Sequence, residues 1–303
     1  EIFVSDSSTT EGETLEFVVS LNVVSGVDVI FDLNSFVGTA LAPADYAAVT
    51  LNSITIAAGA ISYSFNVASA EDLLNEGNEN FTVSLANVIE AAVTDASGMG
   101  TIVDDDPSPD IFVADAIAVT EGATSEFVIS LSAVSGLDIT FNYQTLDDTA
   151  VSTQDYTQVP MTSGTIAAGS LALTIPVVTI DDSPDEIATE YYTLTISGIV
   201  NANLNDPSGD AAINDNDSPP QIFIVDAVVL EGGTFSFTVS LSAASDLDVD
   251  FNFQSYDGGG ADRAEDPSDY LAISGSDQIG AGGLTKAVAL ATVQDVIDEV
   301  DER

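Results

Sequence analysis

Apolar and polar residues alternate along most of this chain, in blocks that return. Leu15, Phe17, Val19 and Leu21 occupy every second position; Ser125, Phe127, Ile129 and Leu131 repeat the block, and Phe235, Phe237, Val239 and Leu241 repeat it again. A second block, Val27, Val29, Phe31 and Leu33, returns as Leu137, Ile139, Phe141 and Tyr143, then as Leu247, Val249, Phe251 and Phe253. A period of two sends alternate side chains to opposite faces, so each block predicts a half-buried β-strand with Asp, Asn, Ser and Thr on its wet face. Further strands are predicted near 61 to 67, 81 to 85 and 100 to 103, about seven per copy. No segment sustains a helical period.

The repeating unit is about 110 residues long. Ile2-Phe3-Val4 returns as Ile111-Phe112-Val113 and Ile222-Phe223-Ile224; Glu11-Gly12 as Glu121-Gly122 and Glu231-Gly232; Asp45-Tyr46 as Asp155-Tyr156 and Asp269-Tyr270. The first two copies close on Asp104-Asp105-Asp106-Pro107 and Asp215-Asn216-Asp217, and the third reaches Arg303 before its closing strands are expected. This pattern predicts an all-β chain of tandem immunoglobulin-like Greek-key β-sandwiches. The expected domains are 1–107, 108–218 and an incomplete 219–303. Pro107-Ser108-Pro109 and Ser218-Pro219-Pro220 are stiff extended linkers, so an elongated rod is expected.

Charge changes the picture. Of 303 residues 50 are Asp or Glu and 3 are Lys or Arg, for a net charge of −47, yet 45% are hydrophobic and the mean hydropathy is +0.27. The acids therefore sit in the loops of folded domains. The first basic residue is Arg263, so no basic side chain partners any acid of the first two copies. Two carboxylates about 4 Å apart repel by about 1 kcal/mol even in water, so crowded acids require neutralisation from solution.

The same charge argues against nucleic acid as a partner, because no basic stripe can displace counterions, and against anionic membrane surfaces. No apolar run is long enough to span a bilayer. The absence of Cys and His removes thiol, imidazole and zinc chemistry. A glycosidase-like carboxylate pair is the remaining catalytic option, but the acids read as a polar rim, and the chain is not expected to be an enzyme. Gly258-Gly259-Gly260 and the glycines near 280 to 283 read as turns.

The acids gather at four places in each copy. In the first these are Glu11, Asp45, Asp72 with Glu76 and Glu79 beside Glu71, and Asp104, Asp105 and Asp106. In the second they are Glu121, Asp155, Asp181 and Asp182 with Asp185, Glu186 and Glu190, and Asp215 and Asp217 around Asn216. The third offers Glu231, Asp269, Asp295, Asp298, Glu299 and Glu302. Calcium takes six to eight oxygens at roughly 2.3–2.6 Å, which loops at one end of a sandwich can supply, whereas zinc and other transition metals favour His and Cys. In an extended Asp-Asp-Asp run alternate side chains point opposite ways, so Asp104 and Asp106 face one ion while Asp105 faces another or the next domain. The plainer reading is a solvated acidic coat; recurrence without basic partners favours Ca2+. Asp45 also reads as a turn residue beside a structural Tyr. Asp6, Asp115 and Asp226 follow the opening strands, so Asp106 with Asp115 or Asp110, and Asp217 with Asp226, are expected to approach one another at the junctions.

Thr10-Glu11-Gly12 and Thr120-Glu121-Gly122, an alternating strand ending in Ser-Leu, Asp-Tyr, Ala57-Ala58-Gly59 and Ala167-Ala168-Gly169, an acidic segment and a terminal Ile-x-Asp-Asp-Asp resemble the Calx-beta repeat. The resemblance implies a sandwich whose acidic end binds calcium through the acids named above. Glu71 and Asn75 depart from it, as do Asn216, an extra residue before Glu190 and the missing terminal acids of the third copy. It further implies a segment of a large secreted or cell-surface bacterial adhesin of the gliding or biofilm type. Calcium would rigidify its stalk, and its partners would be neighbouring repeats and a secretion or anchoring machinery. Alternatives are a calcium-sensing module of a membrane transporter, as in sodium/calcium exchangers, and an accessory array of a secreted enzyme.

Overall fold

A computed structural model describes residues 1–258 and 264–294, and no helix occurs among them. The first domain has β1 (Ile2–Val4), β2 (Ser7–Thr10), β3 (Thr14–Leu21), β4 (Val29–Val37), β5 (Thr50–Ile56), β6 (Ser62–Ala68), β7 (Glu79–Ile89), β8 (Val93–Asp95) and β9 (Ser97–Val103). One sheet runs β6-β3-β1-β8 and the other β2-β9-β7-β4-β5. The second domain repeats the plan with β10 (Asp110–Ala114), β11 (Val119–Thr120), β12 (Thr124–Leu131), β13 (Ile139–Asp147), β14 (Thr162–Ile166), β15 (Ala172–Val178), β16 (Glu190–Val200), β17 (Asn203–Asp206) and β18 (Ser208–Asn214). Its sheets run β15-β12-β10-β17 and β11-β18-β16-β13-β14. The tandem sandwiches of the sequence reading are present.

Alternation translates directly into burial. Along β3, Leu15, Phe17, Val19 and Leu21 point inward, and they meet Phe31, Leu33, Phe81 and Val83 of the facing sheet in one core. Phe17 stacks on its cross-strand partner Phe65 at 5.4 Å. The Tyr of each Asp-Tyr pair is a core anchor: Tyr46 stacks on Phe81 at 3.9 Å, and Tyr156 on Tyr192 at 4.1 Å. Aromatic burial thereby pins the acidic loop that precedes each Tyr.

Each complete copy has nine strands rather than about seven. The opening strand splits in two: β1 joins one sheet and β2 crosses to the other, pairing parallel with β9. Asp6 serves this crossing by accepting the Met99 N–H at 2.7 Å, and Asp115 accepts the Asp210 N–H at 2.9 Å. β5 escaped the alternation test because its pairing with β4 slips between Phe31 and Leu33, near Ser53 at φ 54.

In the third domain β19 (Ile222–Val225), β20 (Thr234–Leu241) and β23 (Thr285–Ala291) form one sheet, and β21 (Val249–Gln254) pairs with β22 (Ser274–Ile279). Counterparts of β7 to β9 do not occur among the described residues.

Successive domains meet through one backbone device. The Asn75 carbonyl accepts the Gly136 N–H at 2.9 Å and the Ser135 hydroxyl at 3.1 Å. The Asp185 carbonyl accepts the Asp246 N–H at 3.0 Å and the Ser245 hydroxyl at 3.0 Å. Ser135 and Ser245 are each 1% exposed.

Where the opening strand crosses between sheets it abuts the last strand closely. A Cβ at Gly98 would lie 2.3 Å from the Ser5 carbonyl oxygen, and one at Gly209 would lie 2.5 Å from that of Ala114, both backbone atoms that cannot turn aside. Gly98→Ala and Gly209→Ala are each expected to destabilise their domain by about 1–3 kcal/mol in denaturant unfolding. Gly26→Ala, with nothing within 4 Å of the new Cβ, should change little.

Candidate metal centre

Four chain segments are laced together at one end of each sandwich by backbone hydrogen bonds. In the first domain the Glu11 N–H donates to the Val103 carbonyl at 3.1 Å, Gly12 to Ala70 at 2.9 Å, and Ala70 to Asp45 at 2.8 Å. The second repeats two of these links, Glu121 to Asn214 at 3.1 Å and Ile180 to Asp155 at 2.9 Å. These links place the Glu-Gly turn, the Asp-Tyr loop, the acid-rich loop and the terminal Asp run side by side. The glycine of the Glu-Gly pair is required twice over. Gly12 has φ +73, and a Cβ there would fall 2.1 Å from Glu71 Oε2; Gly122 has φ +76, and a Cβ there would fall 2.8 Å from Asp181 Cβ.

The carboxylates of the first two domains gather into adjacent nests. Glu11, Asp104 and Asp106 present oxygens within 4.8 Å of one another, and Glu11, Glu71 and Asp105 do the same. The run thus splits as alternation requires, with Asp104 and Asp106 on one side and Asp105 on the other. A further group in the same cleft has Glu76 and Glu79 beside Asp45, with the charge of Asp72 acting on both glutamates. In the second domain the sets are Glu121, Asp182 and Asp217, and Asp155, Glu186 and Glu190. Asp215 lines the same cleft and accepts the Glu186 N–H at 3.3 Å.

The aspartate of each Asp-Tyr pair is a turn residue in the structure. Asp45 accepts the Leu41 N–H, Asp155 that of Val151 and Asp269 that of Glu265, so each caps its own turn with one oxygen. Asp155 remains in a nest as well. Asp181 accepts the Asn216 amide at 3.4 Å. Asp185 faces the joint instead, its Oδ2 accepting Ser245 Oγ at 3.3 Å. Asp115, expected at the first junction, is committed to Asp210 within its own domain, and the joint is made by Ser135 and Gly136. At the second joint Ser245 and Asp246 take the place expected of Asp226. Glu231 lies in the third domain's Glu-Gly turn, while Asp295, Asp298, Glu299 and Glu302 lie outside the described residues. Two residues beside the nests lay outside the expected acids: Asn75, whose amide donates to Asp104 Oδ2 at 3.4 Å, and Asp246, whose charge acts on Asp182, Glu186 and Glu190. Asn75 stood out only as a departure from a pattern, and Asp246 is distant in sequence from the acids on which its charge acts.

The nests fit a hard cation. Glu11 Oε1, Asn75 Oδ1, Asp104 Oδ1, Asp106 Oδ2 and Asp217 Oδ2 are buried with no hydrogen-bond partner, a costly condition for acceptors that only a donor or a cation relieves. Oxygens on opposite sides of a calcium ion are about 4.8 Å apart, and each carboxylate set named above has its oxygens within that distance of one another. Burial, followed by contact with Asp106, pushes the Glu11 carboxyl up to about 7. Burial and Asp45 push Glu79 to about 7, burial and Asp155 push Glu186 to about 8, and the same causes push Glu190 to about 7.

A model of the Calx-beta domain matches residues 2–106, 104–219 and 215–303. The chain belongs to the Calx-beta family. No curated protein matches it. Among solved structures, CBD12 from CALX1.2 aligns over 70% of this chain and 99% of that one, at 14% identity and a TM-score of 0.34. The calcium binding domain CBD12 of CALX1.1 aligns over the same shares at 14% and 0.35. The apo-form Calx CBD1 domain covers 35% of this chain and 98% of its own length at 18% and 0.30. Calx-beta domains are binding modules, and Ca2+ is the cofactor that this family and these nests have in common. No helix among the described residues is long and apolar enough to cross a membrane.

The raised carboxyls set a pH trend for the ion-free protein. Native Glu11, Glu79, Glu186 and Glu190 keep protons that an unfolded glutamate, with its ordinary value of 4.5, has released. Where the native state binds more protons, stability falls as pH rises. With chelator present, the unfolding midpoint should fall between pH 5 and pH 8. Saturating calcium, which holds the deprotonated form, should flatten or reverse the trend.

Proposed function

We propose that this chain is a calcium-stiffened structural segment of a large secreted or cell-surface bacterial adhesin. Its acidic nests, built from the residues named above, each take calcium, and ion binding sets the rigidity of a stalk that presents a binding domain elsewhere. The observation that carries this reading is that one loop serves both nest and joint. In residues 71 to 79, Glu76 and Glu79 face the nest while the Asn75 carbonyl holds Ser135 and Gly136 of the next domain. In the second domain Glu186 and Glu190 flank the nest while Asp185 holds Ser245 and Asp246. An ion that orders this loop orders the joint.

The acidity suits an exterior rich in calcium or salt, where millimolar cation screens or fills the nests. Neighbouring repeats are the immediate partners, and export with surface anchoring, as in gliding or biofilm adhesins, completes the reading. The shared loop equally suits a regulatory module in which calcium repositions the next domain.

Calcium titration by calorimetry separates the two. A stalk bathed in external calcium calls for dissociation constants of about 10⁻⁴–10⁻³ M, a sensor for about 10⁻⁷–10⁻⁵ M. Thermal unfolding with calcium, and with magnesium as control, tests the ion itself. At one hundred times its dissociation constant a single site adds about 2.7 kcal/mol, so a calcium-specific rise in the midpoint is expected. An equal rise with magnesium would leave the acids as a solvated coat.

A further inference from the structure

The two joints share one backbone design and differ in one side chain. The residue after the buried serine is Gly136 at the first joint and Asp246 at the second, and the N–H of each donates to the carbonyl at the middle of the preceding acidic loop. That position looks onto the preceding nest. A Cβ at Gly136 would stand 2.6 Å from both Cγ and Oε1 of Glu76, so the first joint has no room for a side chain unless Glu76 withdraws. At the second joint the side chain is present, and its negative charge acts on Asp182, Glu186 and Glu190. These three residues come from both nests of the second domain.

The composition of that nest gives the extra carboxylate a purpose. Asn216 stands where the first domain has Asp105, and its side-chain amide donates to Asp181 rather than offering a charged oxygen. Asp217 Oδ2 is nonetheless buried with no partner, so a cation is still called for. The second domain therefore has one terminal carboxylate fewer than the first, and the third domain reaches back with another.

We propose that Asp246 of the third domain belongs to the calcium centre of the second, which makes that centre a cross-domain site and locks the second joint. The first joint, with Gly136, is closed by the hydrogen bonds of Ser135 and Gly136 to the Asn75 carbonyl. The inference rests on the calcium reading above and adds a division of labour. Calcium fixes the second joint through a charged ligand from each side and the first only through its own loop.

The whole 303-residue chain provides the test. Because it contains no cysteine, spin labels can be attached at single introduced cysteines on exposed strand positions. Glu126 and Ser236 report the second joint, and Glu16 with Glu126 the first. Asp246 is itself exposed, so Asp246→Asn should fold as the parent does, verified by its unfolding midpoint in chelator. In calorimetry the variant should lose about tenfold or more in the affinity of the second domain's ions. In calcium its distance distribution across the second joint should broaden, while that across the first stays as in the parent. Asp246→Glu should restore part of both. Equal affinity and an equally narrow second joint in Asp246→Asn would overturn the proposal and leave the calcium reading standing. A parent chain that takes up no calcium would overturn both.

Discussion

Carboxylate repulsion held in check by backbone hydrogen bonds is the constraint on which the working end of each domain depends. Left to themselves, Glu11, Glu71, Asp104, Asp105 and Asp106 would spread into water, since no cation of the chain stands near them in sequence. They are kept together because the segments carrying them are tied to one another by main-chain bonds, Glu11 to Val103, Gly12 to Ala70 and Ala70 to Asp45. Beneath the lacing, Tyr46 and Phe81 stack in the core and anchor the loops from below. The fold's packing energy thus holds a preorganised set of oxygens. Burial, and after it the neighbouring carboxylates, raise the Glu11 carboxyl, and Glu11 Oε1, Asp104 Oδ1 and Asp106 Oδ2 are left as unpartnered acceptors.

This arrangement links the ion to the neighbour. The acidic loop cannot order without also placing the Asn75 or Asp185 carbonyl, which accepts two hydrogen bonds from the next domain. Local charge neutralisation and inter-domain geometry are consequently two readings of one loop conformation. The copies are not interchangeable. Asn75 and Asp185 occupy the same position, yet the Asn75 amide turns toward Asp104 and Asp106 while the Asp185 carboxylate turns toward Ser245.

The third domain follows the same plan among its described residues. Asp269 caps its turn as Asp45 and Asp155 do. Gly232 has φ +75 and packs against Gln294 as Gly12 packs against Glu71. Its two sheets enclose a smaller core of Val239, Leu241, Ile279 and Val288.

Much of the fold was legible in the chain itself because strand alternation is local. Phe17, Phe127 and Phe237 each declare an inward face by their spacing, and the Glu-Gly and Asp-Tyr pairs declare the repeat. β5 was not legible, since a slipped register and a positive φ at Ser53 erase the period of two. The division of the opening strand was not legible either, since Asp6 and Asp115 look alike whether they bind an ion or cap the amides of Met99 and Asp210. The sequence by itself determined which residue types could hold a cation and that nothing else in the first two copies could neutralise them. Tertiary structure alone decided which carboxylates share a nest, that Asp185 faces a serine, and that Asp246 sits over another domain's site. Those outcomes depend on contacts between segments dozens of residues apart, and hydrogen bonds across a joint leave no periodic trace in either partner.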